Sequence, residues 1–242
     1  MKNHLYFLLC FITAISISCS DEDDDVTIRS GDETAPLPES QSVITDNDGN
    51  TYEVGFNQIT SINQNPFVRK RSSSGNTLWN ITHESTPVDG RAEFIFLDND
   101  QNPWVVFSFD GGSNDIGYIN SKEIENNAFS CVFQNNYGSG GGPRVSVLAR
   151  LNPNTGKIVK GSFITSRLTN GNTNTLRIVK ADNVNGVIAF EINAAAWPPG
   201  TGTSYNRFPD LTDDDRIDGA FKIYYEINTG LSEITKAVLL KI

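Results

Sequence analysis

The sequence predicts an all-β fold for most of the chain, and three observations support this prediction. Short runs of β-branched and aromatic residues recur along the chain. Turn-forming residues separate these runs, with 20 glycines and 10 prolines in all, and no window of ten or more residues shows a helical period. In Phe221–Ile227 apolar side chains alternate with Lys222 and Glu226, a pattern typical of an antiparallel strand that buries one face.

The strands predicted from such runs follow one another from residue 92 to the end of the sequence. They are Ala92–Leu97, Trp104–Phe109, Phe129–Phe133, Val145–Leu151, Leu176–Ala181, Val187–Ile192, Phe221–Ile227 and Ala237–Ile242. In Phe129–Phe133 the strand period places Cys131 on the face of the two phenylalanines, which predicts a small buried residue. The best helix candidate is the short stretch Ser121–Asn126.

Two kinds of turn alternate along the chain. An Asx turn or Asn-Gly turn between two strands occurs at residues 46–50, 98–102 and 182–187. A glycine turn between two further strands occurs at residues 72–76, 152–157 and 228–231. In the first two Asx turns the aspartates are predicted to accept hydrogen bonds from their own turn backbone, in preference to binding calcium.

The order of these turns resembles the β-propeller repeats of bacterial surface proteins. The match is closest over residues 41–85, where an Asp-x-Asp-Gly-Asn-x-Tyr turn is followed by Gly75-Asn76 and Trp79. The resemblance implies a single domain over residues 41–242, with about three degenerate four-stranded units in a propeller-like array. Three units are fewer than a closed propeller normally has, so an irregular β-sandwich or barrel is the alternative.

The first 18 residues resemble the signal peptide of a bacterial lipoprotein. The apolar run Leu5–Ile12 is too short to cross a bilayer as a helix, and the small Ser18 precedes Cys19. The resemblance implies cleavage before Cys19, acylation of that cysteine and anchorage in the outer membrane through its acyl chains.

Residues 19–40 are predicted to form a disordered acidic tether. The five carboxylates of Asp21–Asp25 follow Ser20 directly, and such a run repels itself and cannot pack into a core. The run resembles the acidic export signal that carries some Gram-negative lipoproteins to the outer face of the outer membrane. This resemblance implies a location on the cell surface.

The charge balance argues against nucleic acid as a partner. The chain contains 29 acidic and 19 basic residues, which gives a formal net charge of -10. No cluster of lysine and arginine supplies a patch for phosphate backbones. The partners that remain are a glycan or another protein of the outer membrane.

One long loop, residues 196–209, has the composition of a ligand-binding site. Aromatic faces on exposed loops stack against the C–H surfaces of sugars, and arginine satisfies hydroxyl groups. The candidate ligand-binding residues are Trp197, Tyr205, Arg207 and Phe208. The alternative is that this loop only covers the end of a β core.

An acidic stretch follows the loop and is a candidate calcium site. Hard cations take several oxygen ligands, and closely spaced aspartates on a loop supply them in extracellular proteins. The candidate ligands are Asp210, Asp213, Asp215 and Asp218. Their spacing differs from that of an EF-hand, and the alternative is a solvated acidic loop.

The known sequence signatures of catalysis are missing. There is no Gly-x-Ser-x-Gly elbow, His-Glu-x-x-His pair, Cys-x-x-Cys pair or dinucleotide fingerprint. His83 is the one histidine beyond the signal, and its position after a strand predicts an edge or turn residue. The favoured function is therefore a noncatalytic β domain that binds an extracellular glycan or partner protein. The alternative is a small carbohydrate-active hydrolase with its acids in residues 210–218.

Overall fold

The structure is a computed structural model that describes residues 34–61, 63–83, 89–110, 121–140, 142 and 144–240. The predicted signal peptide, Cys19 and the acidic run lie outside these residues. Within them the fold is all-β, as predicted, and every pair of neighbouring strands is antiparallel. No helix in the described part of the chain is long and apolar enough to cross a membrane.

Three four-stranded sheets follow one another along the chain, each formed by four consecutive strands. Sheet 1 contains β1 (Val43–Thr45), β2 (Thr51–Gln58), β3 (Gln64–Arg71) and β4 (Thr77–Thr82). Sheet 2 contains β5 (Gly90–Leu97), β6 (Pro103–Phe109), β7 (Val145–Leu151) and β8 (Ile158–Ile164). The two-stranded sheet of β9 (Ser166–Arg167) and β10 (Thr173–Asn174) precedes sheet 3, which contains β11 (Leu176–Val184), β12 (Val187–Ala194), β13 (Phe221–Ile227) and β14 (Ile234–Leu239).

The predicted turns connect strands within these sheets. The Asx and Asn-Gly turns connect the first two strands of each sheet, and the glycine turns connect the last two. The Asp98 carboxylate accepts hydrogen bonds from the backbone N–H groups of Asp100 (3.0 Å) and Asn102 (2.9 Å). Asp46 does the same for Asp48 (3.1 Å) and Asn50 (2.8 Å). These are the side-chain hydrogen bonds that the sequence predicts for the two turns.

The predicted strand Phe129–Phe133 is wrong. This segment consists of bends and turns, with positive φ angles at Asn127 (64°) and Cys131 (48°). It runs along the outer edge of β8, where the N–H groups of Gly161 and Phe163 donate to the carbonyls of Ala128 and Gln134, both at 2.9 Å. Strand β8 itself is missing from the predicted set, because Lys160 and Gly161 interrupt its apolar pattern.

Cys131 is also not the buried residue that the strand period predicts. Its side chain is exposed, whereas Phe129 and Phe133 are buried. The positive φ of Cys131 reverses the chain locally, so the three side chains do not share one face.

All three sheets have the same two ends. The short turns within the sheets lie at one end, where the Asn47 N–H donates to Gln101 (3.0 Å) and the Trp79 indole donates to the Pro153 carbonyl (3.1 Å). The long connections and the links between sheets lie at the other, where Leu176 N–H donates to the Arg144 carbonyl (3.2 Å). We call these the short-turn end and the long-loop end.

The apolar core lies in two layers between the sheets. One layer joins sheets 1 and 2 and includes Tyr52, Val68 and Phe107. The other joins sheets 2 and 3 and includes Trp104 and Phe190. The burial of both faces of β6, whose seven residues are all buried, follows from this central position of sheet 2.

The folded part begins before residue 41. Leu37 is only 8% exposed and packs against Ala189, Tyr224 and Val238 on the outer face of sheet 3. The Ser40 hydroxyl donates to the Val179 carbonyl at 2.7 Å. Residues 35–40 therefore lie along the third sheet.

Candidate functional site

The predicted ligand-binding loop is the connection between β12 and β13, at the long-loop end. Isolated β-bridges hold it in place: Trp197 pairs with Arg167 of β9, and Pro199 pairs with Arg207 across the loop. A third bridge joins Gly202 to Ile234 of β14. These backbone contacts give the loop a defined shape without regular secondary structure.

Trp197 is half-buried, and its ring has an aromatic ring and two guanidinium groups as neighbours. Its ring packs against Phe221 with the centroids 5.2 Å apart. The guanidinium carbon of Arg207 lies 3.4 Å from the centroid of the Trp197 ring, and that of Arg216 lies 5.6 Å from it. One indole face is thus covered by a guanidinium plane and is not free to stack on a sugar.

Tyr205 connects the backbone of Trp197 to a further arginine, Arg167. The Tyr205 hydroxyl donates to the Trp197 carbonyl at 2.9 Å. The guanidinium carbon of Arg167 lies 4.2 Å from the Tyr205 ring centroid. Burial raises the pKa of the Tyr205 hydroxyl, although the charges of Arg167 and Arg207 oppose this shift. The hydroxyl therefore remains protonated and serves as a donor at neutral pH.

Phe208 lies in a different environment from the other three candidate residues. It is only 4% exposed and belongs to the core layer between sheets 2 and 3. Its N–H donates to the Pro198 carbonyl at 2.9 Å, and the buried Tyr225 hydroxyl donates to the Pro199 carbonyl at 2.5 Å. Phe208 therefore fixes the base of the loop and presents no ring surface to solvent.

The two arginines on the aromatic rings have few partners of their own. Arg207 is exposed and donates one hydrogen bond, to the Leu211 carbonyl at 3.2 Å. Arg167 has no side-chain hydrogen bond or ion pair with any described residue, and its Nε is buried without a partner. Arg216, by contrast, pairs with Asp213 at 2.9 Å and also donates to two carbonyls.

The four predicted calcium ligands do not converge. Asp213 pairs with Arg216, and Asp218 pairs with Lys222 at 3.1 Å. Asp215 accepts hydrogen bonds from the N–H and hydroxyl of Thr212, at 2.9 and 3.1 Å, while Asp210 is exposed. Among the described residues, no group of three or more His, Cys, Asp or Glu side chains is arranged to hold a metal ion.

His83 lies outside the loop and away from solvent. It follows β4, is fully buried, and its Nε2 lies 3.0 Å from the Gly156 carbonyl oxygen. Because that oxygen can only accept, the Nε2 atom carries the proton and the ring is neutral. Burial lowers the pKa of His83 to about 4. The residue is thus a packed core histidine and not the edge or turn residue that its position predicts.

Sequence patterns missed Arg167, Arg216 and Phe221 as parts of the site. Arg167 is 30 residues from Trp197, and only the backbone bridge between β9 and the loop brings them together. Nothing local in the sequence marks that pairing. Comparison of the chain with models of known protein families and with curated proteins finds no match.

The rings of the loop form a surface that carries guanidinium groups. The rings of Trp197 and Tyr205 are held by backbone contacts, and the guanidinium groups on them are fixed in orientation. The nearby carboxylates of Asp213 and Asp218 are engaged in ion pairs. A rigid aromatic surface that carries hydrogen-bond donors can bind a polar ligand.

Proposed function

We propose that this protein is a bacterial outer-membrane lipoprotein, exposed on the cell surface, whose noncatalytic β domain binds an extracellular glycan. The anchor in this proposal is an acylated Cys19. The observation that carries the binding function is the aromatic and arginine surface of the β12–β13 loop, at the long-loop end.

The proposal includes a propeller-like arrangement of the three four-stranded sheets. Each sheet consists of four strands in chain order, and the sheets share their short-turn end and long-loop end. In such an array the connections at one end form a common surface, and long loops there are the usual place for ligands.

A glycan array tests the binding function. The full chain, purified in detergent, should retain at least one class of glycan, and Trp197→Ala should abolish retention because it removes the ring on which Arg207 rests. Trp79→Ala is the matched control, since Trp79 is also half-buried but lies at the short-turn end. Retention that survives Trp197→Ala would overturn the site. If the wild type retains no glycan, the glycan function fails, and an outer-membrane protein becomes the partner to test.

Cell fractionation and mass spectrometry test the anchor. Cys19→Ala should move the protein from membranes to soluble fractions, because each buried methylene of an acyl chain contributes about 0.8 kcal/mol to membrane binding. The mature protein should have the mass of an acylated N-terminal cysteine. Acylation uses the Cys19 sulfur, so a disulfide between Cys19 and Cys131 in the mature protein would contradict the proposal.

A further inference from the structure

Arg167 and Arg207 are among the described basic side chains that form no ion pair with a described carboxylate. Ion pairs within 4.0 Å engage eight described basic residues: Arg69, Lys70, Arg144, Arg177, Lys180, Arg216, Lys222 and Lys236. The chain is acidic, with 29 acidic and 19 basic residues, so carboxylates are not scarce. Arg167 of β9 and Arg207 of the loop nevertheless form no ion pair with any described residue.

Both arginines are also held in place by the rings below them. Arg207 stacks on Trp197 and Arg167 stacks on Tyr205, and the hydroxyl of Tyr205 bonds to the carbonyl of Trp197. Stacking on an aromatic face fixes the plane of a guanidinium group and leaves its N–H edges available. The two forks are therefore ordered donors on one contiguous surface.

Burial makes the lack of partners costly for Arg167. Its Nε is removed from water and meets no acceptor among the described residues. A buried donor on a charged group that lacks a partner is unfavourable by more than a neutral one. Only Nε is buried in this way, so the terminal N–H groups of the half-buried guanidinium can meet an acceptor supplied by a ligand.

The neighbouring acidic stretch does not neutralise the two arginines. Asp213 and Asp218 are engaged by Arg216 and Lys222, and Asp215 is engaged by Thr212. Asp210 and Asp214 are exposed, and no carboxylate of residues 210–218 forms an ion pair with Arg167 or Arg207.

We propose that Arg167 and Arg207 bind a negatively charged group of the ligand, so that the ligand is an anionic polysaccharide. This inference rests on the proposed glycan-binding function of the loop. A carboxylate or a sulfate ester on a sugar offers oxygens that match the paired donors of a guanidinium fork. Trp197 and Tyr205 then orient the arginines and border the sugar ring.

The test compares three soluble probes of similar size by calorimetry on the full chain in detergent. Oligogalacturonate presents carboxylates, sulfated dextran oligosaccharides present sulfate esters, and unmodified dextran oligosaccharides are neutral. The wild type should bind at least one of the two anionic probes at least tenfold more tightly than the neutral probe. Raising the ionic strength from 0.05 to 0.5 M should weaken that binding, because salt screens exposed charges.

The variants Arg167→Gln and Arg207→Gln should each weaken anionic binding by about tenfold to a hundredfold. Arg167→Lys keeps the charge and loses the planar fork, so it should recover little of the lost affinity. The matched control is Arg71→Gln, which removes an arginine without an ion pair at the short-turn end and should leave binding unchanged. Circular dichroism of each variant should match that of the wild type. If Arg167→Gln and Arg207→Gln do not fold, Arg167→Lys and Arg207→Lys are compared with the wild type instead.

The outcomes separate this inference from the proposed function. The inference is supported if the wild type prefers an anionic probe, if Arg167→Gln and Arg207→Gln (the loop variants) both lose this preference, and if Arg71→Gln keeps it. Equal binding of neutral and anionic probes, unaffected by the loop variants, overturns the inference and leaves glycan binding intact. An anionic preference that Arg71→Gln reduces as much as the loop variants do reflects general charge and also overturns it. Failure of both anionic probes to bind at millimolar concentration overturns the inference, and the glycan array then decides the proposed function.

Discussion

The Asp98 turn at the short-turn end and the surface of Trp197 and Tyr205 at the long-loop end place charged side chains in opposite surroundings. At the short-turn end, the Asp98 carboxylate accepts bonds from its own turn and from the Trp104 indole at 2.9 Å. At the long-loop end, Arg167 and Arg207 rest on aromatic rings with almost no acceptors of their own. The polar groups of the Asp98 turn form hydrogen bonds within the protein, whereas the guanidinium groups at the long-loop end keep N–H donors that another molecule can use.

This contrast indicates where changes should reduce stability and where they should reduce binding. A carboxylate that satisfies several buried or turn N–H groups contributes directly to the free energy of unfolding. A guanidinium group on a surface loop contributes little to it. The predictions below probe that division, from the largest expected change in stability to the smallest.

Asp98→Ala should lower the free energy of unfolding by about 3 to 4 kcal/mol, because it removes the acceptor for two turn N–H groups and for the buried Trp104 indole. Urea unfolding followed by tryptophan fluorescence measures the loss. Asp100→Ala, on the exposed side of the same turn, is the control and should cost less than 1 kcal/mol. Equal losses in the two variants would show that the Asp98 carboxylate is not the stabilising group.

Acid should destabilise the protein through His83. The pKa of this ring is lowered from 6.5 to about 4 by burial, so the unfolded chain takes up a proton at a higher pH than the folded protein does. Above about pH 6.5 the ring is neutral in both states and the free energy of unfolding is at its full value. As the pH falls from 6.5 to 4, protonation of the unfolded chain lowers the free energy of unfolding by about 3 kcal/mol. His83→Gln, which can still donate to the Gly156 carbonyl, should show a smaller loss between pH 7 and 4. Identical pH profiles for the two proteins would refute the assignment.

Two glycines with positive φ should respond differently to alanine. Gly156, at the short-turn end, has φ +74°, and a Cβ there would lie 2.8 Å from Trp79 and Ile81. Gly171, between β9 and β10 at the long-loop end, has φ +85° with nothing within 4 Å. Gly156→Ala should therefore cost about 3 kcal/mol and Gly171→Ala about 1 kcal/mol. Thermal unfolding gives both values, and a larger loss at Gly171 would reverse the expected order.

Substitutions of the loop arginines should barely change stability. Arg207→Gln removes one hydrogen bond to a carbonyl and a stacking contact on an exposed side chain, which together contribute about 1 kcal/mol or less. The same substitution is expected to abolish most ligand binding. Urea unfolding measures the stability and calorimetry on the same preparation measures the binding. A decrease in the free energy of unfolding above about 3 kcal/mol would show that Arg207 stabilises the fold.

Sequence patterns predicted the regular strands well because alternation is a local signal. Phe221–Ile227 and Val145–Leu151 have the predicted bounds, and the Asx turns carry the predicted hydrogen bonds. The pattern failed at Phe129–Phe133, where positive φ angles at Asn127 and Cys131 prevent the strand that the alternation of apolar residues predicts. Asparagine adopts positive φ more readily than most residues, but cysteine has no such preference, so the sequence does not mark the break at Cys131.

The candidate site could be predicted only in part. Loop composition located Trp197, Tyr205 and Arg207, which the structure brings together. The burial of Phe208 and the contribution of Arg167 depend on packing and pairing between distant segments. The sequence does contain a local signal for the ion pairs of two aspartates, because Arg216 follows Asp213 by three residues and Lys222 follows Asp218 by four. That spacing favours ion pairs over a shared metal ion.

Hydrogen exchange measured by mass spectrometry tests the central claim, that the long-loop end binds the ligand, most directly. The full chain in detergent would be compared with and without a saturating concentration of the anionic probe that binds more tightly, oligogalacturonate or sulfated dextran oligosaccharides. The account predicts slower amide exchange in peptides that cover residues 166–174 and 195–211, with no change in residues 98–104 or 152–158. Protection confined to the short-turn end, or no protection at the long-loop end, would contradict it.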